Sequence, residues 1–538
     1  MVHGVTIAAN LYDERVVQRM LEFCDENTPW SRRLWQSGTM LIARELVEAG
    51  DSSRAVSGRA LKTLHDELLL RVTFDIAASS PSNRAATRKM LGGAPDTLVK
   101  PGHAWYVLDG WTRDTRSEYL ARWASALRTA KSLPSSECSA RLITAHLLDE
   151  GLSASYLHRW LTYRVKYSSA VHTLASMCDE LHTQLLGGSH SIEVLVPLAA
   201  HAPLPRPTPL GWLTSQQVRD WRRENIPDSS PIRQHGAILF TVSAMDPYAA
   251  AEVARDRITA IRDRFRVGGH RVEIRPASEM WIKSVPHPQP TEAPPRRVEV
   301  YAFERQDALW SHSVRPDLEA ALELMAPLER GPAPAAVIGA WAAIEGLLVG
   351  PGDEGKHLAA DRLSLILAAG HLRAEWTSLA WAHADSASDE LASNIHAAAS
   401  NQERALLALR FVESGELKLI RPQDTYALER VRGAMSNPHA YVDQVRRAIQ
   451  PAIHGLYRQR NLLSHAGGTS GVAIKPTLDR VAPLVAAGMD RIAHVALTSD
   501  RTALELAAVA QVRHEALRGQ RTQSALALLE VGPEFSFE

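Results

Sequence analysis

Through the first two hundred residues, apolar positions recur every three to four places. Residues 14–23, 39–49, 59–77, 117–130 and 140–148 each carry such a stripe, and each predicts an amphipathic helix. Another helix begins near Leu152, where Ser153 stands as a candidate N-cap ahead of Tyr156 and Leu157. Period-two alternation is scarce and no fixed-period repeat is visible. Residues 1–200 are therefore expected to form a helical bundle or array and not a solenoid.

The pattern stops at 201–210, which holds four prolines. Proline lacks a backbone donor and fixes its own φ, so 201–235 is expected to be an extended linker and connecting segment. The next stretch changes character. Residues 236–243 are a short apolar run that predicts a buried strand. Asp246 and Pro247 then supply an N-cap and a first-turn proline for a helix reaching about Phe265. That helix carries Ala250, Val253, Ala254, Ile258 and Ile261 on one face, and Gly268 and Gly269 close it. Residues 271–274, 280–283 and 297–303 read as further strands, giving a small α+β unit over 236–310. From 317 to 538 the helical period returns, with the main candidates at 334–349, 358–368, 401–412, 428–435, 440–464, 484–498 and 502–517. Pro451 is expected to kink or restart the helix in which it lies. The fold class is thus mainly α, with a central α+β insert.

Composition narrows the setting only modestly. The 538 residues need two to four domains. Apolar content of 45% and charged content of 22% are ordinary for a globular protein. Sixty basic residues balance sixty acidic ones, so no coat for nucleic acid shows in the total, although a balanced sum hides patches. Cys24, Cys138 and Cys178 are far apart and fit a reducing cytoplasm better than a disulfide framework. The opening Met1-Val2-His3-Gly4-Val5 has no charged segment leading into an apolar one, so no signal peptide is expected. The longest apolar run, 333–350, is rich in Ala, is interrupted by Glu345, and predicts a buried helix with no membrane span.

Candidate chemistry concentrates in Tyr457-Arg458-Gln459-Arg460-Asn461-Leu462-Leu463-Ser464-His465-Ala466-Gly467-Gly468. At 100° per residue, Ile453, Leu456, Arg460 and Leu463 share a stripe, which puts Arg460 where the pattern asks for an apolar side chain. A charge there needs a partner or a cleft that holds an anion. Asn461 and His465 are four apart and share a flank. Gly467 or Gly468 can supply a left-handed cap, and the last carbonyls of the helix favour a protonated imidazole at His465. Arginine holds phosphate and histidine moves protons near neutrality, the two capacities that metal-free cleavage of an RNA backbone requires. Arg and His also serve simply to complement a helix dipole, and that plain reading competes.

The string Tyr457, Arg460, Asn461, His465 and Gly467 resembles the signature of HEPN-domain ribonucleases, the helical nucleases of toxin, CRISPR-associated and phage-defence proteins. Residues 335–348, with Trp341 and Glu345, are similar to the first helix of ApeA-like HEPN proteins, and 361–367 to the helix that follows. The resemblance spans about 317–500, and the α+β unit is similar to a segment that often precedes such domains. Residues 1 to about 230 carry no such likeness. The resemblance implies a C-terminal HEPN-like bundle that cuts RNA without a metal or other cofactor. It implies that Arg460 binds the scissile phosphate, His465 acts as general acid or base and Asn461 orients the pair. Glu345 and Tyr457 are possible supporting residues, Glu345 by holding Arg460 or tuning His465. It also implies a homodimer with a composite site and a role as a toxin or anti-phage effector, the N-terminal region then binding a trigger or regulator. A non-catalytic dimerisation module and an RNA-binding regulator remain as alternatives.

Other motifs fail. Gly350-Pro-Gly-Asp-Glu-Gly-Lys-His357 nearly spells a phosphate-binding loop, but it ends in His where Ser or Thr must reach magnesium, and it follows a helix. His371, His383 and His396 show no ligand spacing and read as core or surface residues. Trp30, Trp35, Trp105 and Trp111 read as core.

Overall fold

The computed structural model describes residues 10–51, 58–93, 95–167, 172–202, 204, 207–226, 234–269, 273–311, 314–465, 471–499, 501–519 and 522–529. The protein is mainly helical, with a small antiparallel sheet at mid-chain. By packing, it divides into two units that do not follow chain order. One comprises residues 117–129 and 147–295. The other comprises the described residues among 9–116, together with 130–146 and those from 296 onward.

The first unit is built on a five-stranded sheet in the order β2-β3-β1-β4-β5. Its strands are β1 (His190–Pro197), β2 (Trp212–Leu213), β3 (Ala237–Ala244), β4 (Glu279–Ile282) and β5 (Gln289–Pro290). β1 lies at the centre and pairs with β3 from His190↔Ala244 to Pro197↔Ala237. Side chains alternate across the sheet. Val194, Val196, Phe240 and Val242 meet Ala250, Ala254 and Ile258 of the helix Pro247–Val267, while Leu195, Ala237 and Trp281 face Val218 of the helix Ser215–Asn225. Asp246 accepts from the amides of Tyr248 and Ala249 as predicted. It also accepts from Ser153, which itself caps the helix Ala154–Lys166.

Several features of this region differ from the sequence reading, and within the stretch expected to be a linker, 201–235, the chain forms β2 and the helix Ser215–Asn225. The central strand β1 lies inside the stretch read as helical; its signal, Ile192 to Val196 after Gly187 and Gly188, is short and local. Residues 297–303 are not a strand. Arg297 is left-handed at φ 60°, the Val298 amide donates to the Glu329 carboxylate at 2.9 Å, and Ala302–Arg305 is helical. Val298 and Val300 pack against the core of the second unit, which explains their apolar spacing without any ladder. Of the strand expected at 271–274, residues 271 and 272 lie outside the described residues, and 273–274 are irregular.

The second unit has a large core formed by residues from Ala302 onward together with Trp35, in which Trp341 and Trp376 are fully buried. The helix Leu358–Ala384 runs through it, apolar on nearly every side, and packs against Pro438–His465, Asn401–Ser414 and Ala503–Ala516. The helices Pro316–Arg330 and Ala333–Leu348 approach so closely that a Cβ on Gly339 would lie 2.1 Å from the Leu324 carbonyl. The helix Ile474–Thr498 is long and apolar enough to span a bilayer, and most of it is buried in this core. Pro451 does not restart its helix: Pro438–His465 is continuous through it. The described cysteines form no disulfide.

Buried charges are woven into this core. Arg32 donates to Glu375 at 3.1 Å and to Asp424 at 2.8 Å, and Arg19 donates to Glu137 at 2.8 Å and pairs with Glu22. Burial pushes the Glu375 carboxyl up, but Arg32, His371, Arg430 and the Ser31 hydroxyl together outweigh this and hold it at about 2. His371 Nε2 donates to the Ser31 carbonyl, 3.0 Å away, and burial pushes its pKa down to about 4 against the opposing pull of Glu375. The unfolded chain therefore binds a proton at His371 that the folded chain refuses. Stability is expected to fall as pH drops from about 6.5 toward about 4, with a contribution on the order of 3 kcal/mol from this residue, and then to fall again from about 4.5 toward about 2 through Glu375. Urea midpoints measured across pH for wild type and His371→Gln check this: the variant should lose slope in the upper range and keep the lower one.

Candidate active site

The helix Pro438–His465 carries the motif. Pro438 occupies its first turn, and Asn437 accepts from the Ala440 amide at 3.0 Å to start it. Ile449, Ile453 and Leu456 are fully buried and hold it in the core. Past Leu456 the buried stripe moves to Gln459, not Arg460. Successive residues turn by about 100°, so Arg458 and Arg460 point to nearly opposite sides.

Arg458 faces the helix Thr39–Asp51. Its Nε donates to Glu45 at 2.9 Å, its second guanidinium nitrogen to the same carboxylate at 3.2 Å, and Gln459 Nε2 also reaches Glu45 at 2.9 Å. Burial works against the Arg458 charge, but Glu45 and Glu67 outweigh it and the net shift is upward. Arg458 is a buried arginine held by carboxylates through Nε and one terminal nitrogen, while its other terminal nitrogen is buried without a hydrogen-bond partner.

Arg460 faces the helix Ala333–Leu348. It donates to Asn461 Oδ1 at 3.0 Å, and Glu345 Oε2 lies 3.8 Å away, beyond hydrogen-bond reach. Glu345 is anchored elsewhere: Trp341 Nε1 donates to it at 2.7 Å and Lys356 pairs with it at 2.5 Å. The Tyr457 ring packs on Trp341 with centroids 4.7 Å apart. Arg460 and Glu345 are each about one-fifth exposed, so the guanidinium is positioned by a neutral amide and a distant carboxylate while still open to solvent. An incoming phosphate could take this guanidinium at little cost in existing bonds.

The sequence reading thus named a set that the fold assembles in part: Arg460, Asn461, Glu345 and Tyr457 come together, with Tyr457 in a packing position. His465 is the last residue of the helix, five positions or about 7.5 Å along the axis from Arg460. Its side chain, and Gly467 and Gly468, lie outside the described residues.

Two groupings escaped the sequence reading. His454 Nε2 lies 2.8 Å from Asp361 Oδ1, which also accepts from Gln450 at 2.7 Å. Burial pushes the Asp361 carboxyl up, but these hydrogen bonds hold it below its ordinary value. This is a half-buried imidazole with an orienting carboxylate, three residues or just under one turn before Tyr457. His439, Asp443 and His514 form the second, their ligand atoms all within 4.8 Å of one another, a donor set suited to a divalent ion. Only His439 and Asp443 have helical spacing, and His514 comes from another helix, so no motif announces them. Of the four tryptophans read as core, Trp35 and Trp105 are buried, whereas Trp30 and Trp111 are half-buried. The 350–357 loop follows a helix, with Lys356 on Glu345 and Asp353 on Arg362. His371 and His383 are buried, and His396 stacks edge-on to Trp381.

No family model matches this chain, and neither does any curated protein or solved structure.

The two arginines should respond differently to loss of their partners. Glu45→Ala removes the carboxylate that Arg458 and Gln459 donate to, leaves Arg458 only Glu67 at 3.8 Å, and is expected to cost about 3 kcal/mol. Arg460→Ala removes a partly exposed, loosely held side chain and should cost about 1 kcal/mol or less. Chemical denaturation of both variants measures this, and equal losses would make Arg460 a structural element like Arg458.

Proposed function

We propose that this chain is a HEPN-type endoribonuclease that cuts RNA without a metal, acting in the cytoplasm as a toxin or anti-phage effector. The observation that supports it most is the placement of Arg460: a partly exposed guanidinium near the end of a long helix, one amide contact holding it, its carboxylate neighbour tied to other donors. In this reading Arg460 binds a non-bridging oxygen of the scissile phosphate. His465 takes the proton of the 2′-hydroxyl or gives one to the leaving 5′-oxygen. The 2′-oxygen attacks phosphorus, the P–O5′ bond breaks, and the products are a 2′,3′-cyclic phosphate and a 5′-hydroxyl. One histidine cannot do both jobs at once, so the second proton-transfer group comes from another copy facing it, consistent with a homodimer that shares a composite site.

A second reading has one observation of its own. Arg460, Glu345, Trp341 and Lys356 form a chain of contacts between the motif helix and Ala333–Leu348, as expected of an assembly module in which the motif is structural.

Total RNA and a defined tRNA, incubated in EDTA with wild type, Arg460→Ala and His465→Ala, separate the two. Wild type should release fragments ending in cyclic phosphate, and each variant, at unchanged oligomeric state and helicity, should be slower by about 100-fold or more. Cleavage that persists in His465→Ala overturns the assignment. No cleavage by wild type, with loss of assembly in the variants, establishes the second reading.

A further inference from the structure

The second unit contains a cavity of about 860 Å³ that none of Arg460, Asn461, Glu345 or Tyr457 lines. Its volume lies within the range of about 300–1,000 Å³ typical of small-ligand sites. Six arginines border it against three carboxylates, Glu26, Glu299 and Asp490. In a chain with equal numbers of acids and bases, this is a local excess.

Partners sort these arginines into two kinds. Arg305 is neutralised by Asp490, which accepts from it through both oxygens at 2.9 Å, and Arg297 lies 3.7 Å from Glu299. Arg33 hydrogen-bonds to the carbonyls of Thr28 and Glu26, the former at 2.8 Å, while the carboxylates of Asp25, Glu26 and Glu299 act on its charge from farther off. Arg404 has the Ile395 and Ala398 carbonyls and the Asn401 side chain. Arg491 has the Ala487 carbonyl at 2.6 Å, and its Nε is buried without a hydrogen-bond partner. Its guanidinium passes over Gly370, where a Cβ would lie 2.2 Å from Nε. The crowding is visible in the charges: burial, and then neighbouring arginines, push Arg491 down to about 10 and Arg33 below its ordinary value. Such positions are unfavourable in the absence of an anion.

Two indoles complete the site. The Arg491 guanidinium lies 4.8 Å from the Trp30 ring centroid and that of Arg404 5.0 Å from Trp381, both rings being half-buried on the cavity wall. Guanidinium forks match phosphate oxygens, and an indole face beside them accepts a base. We propose that this cavity binds a nucleoside polyphosphate, with its phosphates on Arg33, Arg404 and Arg491 and its base against Trp30 or Trp381. The proposal stands independently of RNA cleavage at Arg460.

The full-length protein is titrated with ATP, GTP, inorganic triphosphate and a hexaribonucleotide, following the thermal midpoint and calorimetric affinity at two salt concentrations. At least one nucleotide should raise the midpoint and bind at least tenfold tighter than triphosphate. Arg404→Gln and Arg491→Met should each lose tenfold or more in affinity. Arg491→Met, relieved of a crowded charge, should melt without ligand at the same temperature as wild type or higher, the mark of a residue kept for binding. If that variant fails to fold, Arg404→Gln decides alone. The proposal is overturned if no nucleotide binds at millimolar concentration, if affinity is unchanged in Arg404→Gln, if triphosphate binds as tightly as the nucleotides, or if the hexaribonucleotide binds more tightly than they do.

Discussion

Buried arginines must find their counter-charges, and in the helical unit that requirement sets where whole segments go. Arg32 lies between Glu375 and Asp424, more than three hundred residues away in the chain, with Glu22 a further 3.7 Å from it. None of these groups could be left alone in the core, because an unpaired buried charge costs far more than a well-packed apolar pair would have contributed. The N-terminal helices are therefore held against the C-terminal ones in one register. That register brings Glu45 to Arg458 and fixes the rotation of the motif helix. Arg460 looks toward Glu345 because Arg458 is committed to Glu45.

The same requirement marks the limit of what the sequence discloses. Local signals read well: Ser153 and Asp246 cap the helices expected of them, Pro247 opens its helix, the apolar run at 236–243 is a strand, and the Ala-rich run around Trp341 is a buried helix. Non-local outcomes did not. Strand β1 carries only a short apolar signal, Ile192 to Val196 interrupted by Glu193, at the end of a helical region, and its pairing with β3 and β4 distinguishes it from one more helical turn. Val298 and Val300 alternate as a strand would, yet they are spent on a helical core, with a glutamate side chain taking the amide that a neighbouring strand would have taken. Pro451 forfeits one hydrogen bond, and the packing of Ile449, Ile453 and Leu456 around it is sufficient to carry the helix through.

For the candidate site the division is similar. Spacing along one helix placed Arg460 and Asn461, whereas Tyr457, Trp341 and Glu345 were named only by a family resemblance, and the fold brings Glu345 to within 3.8 Å of Arg460. The amphipathic argument located Arg460 imperfectly, because the buried stripe turns to Gln459 where Glu45 offers its side chain an acceptor. The Asp361–His454 pair joins two helices and has no one-dimensional signature.

Arginine is the residue through which this unit both holds itself together and meets charged molecules, and its partner distinguishes the two uses. Arg19, Arg32 and Arg458 are buried against carboxylates close enough to raise their pKa values despite desolvation. Arg33 and Arg491 are lowered, burial acting first and neighbouring arginines second, with backbone carbonyls as their main polar contacts. A carbonyl dipole orients a guanidinium without neutralising it, which leaves the charge directed and its affinity for an anion intact. Neutrality of the whole chain thus conceals a local excess, since six arginines and three carboxylates border the open cavity. Packing alone does not call for that excess in a chain with as many acids as bases, and an anion drawn into the cavity would offset it.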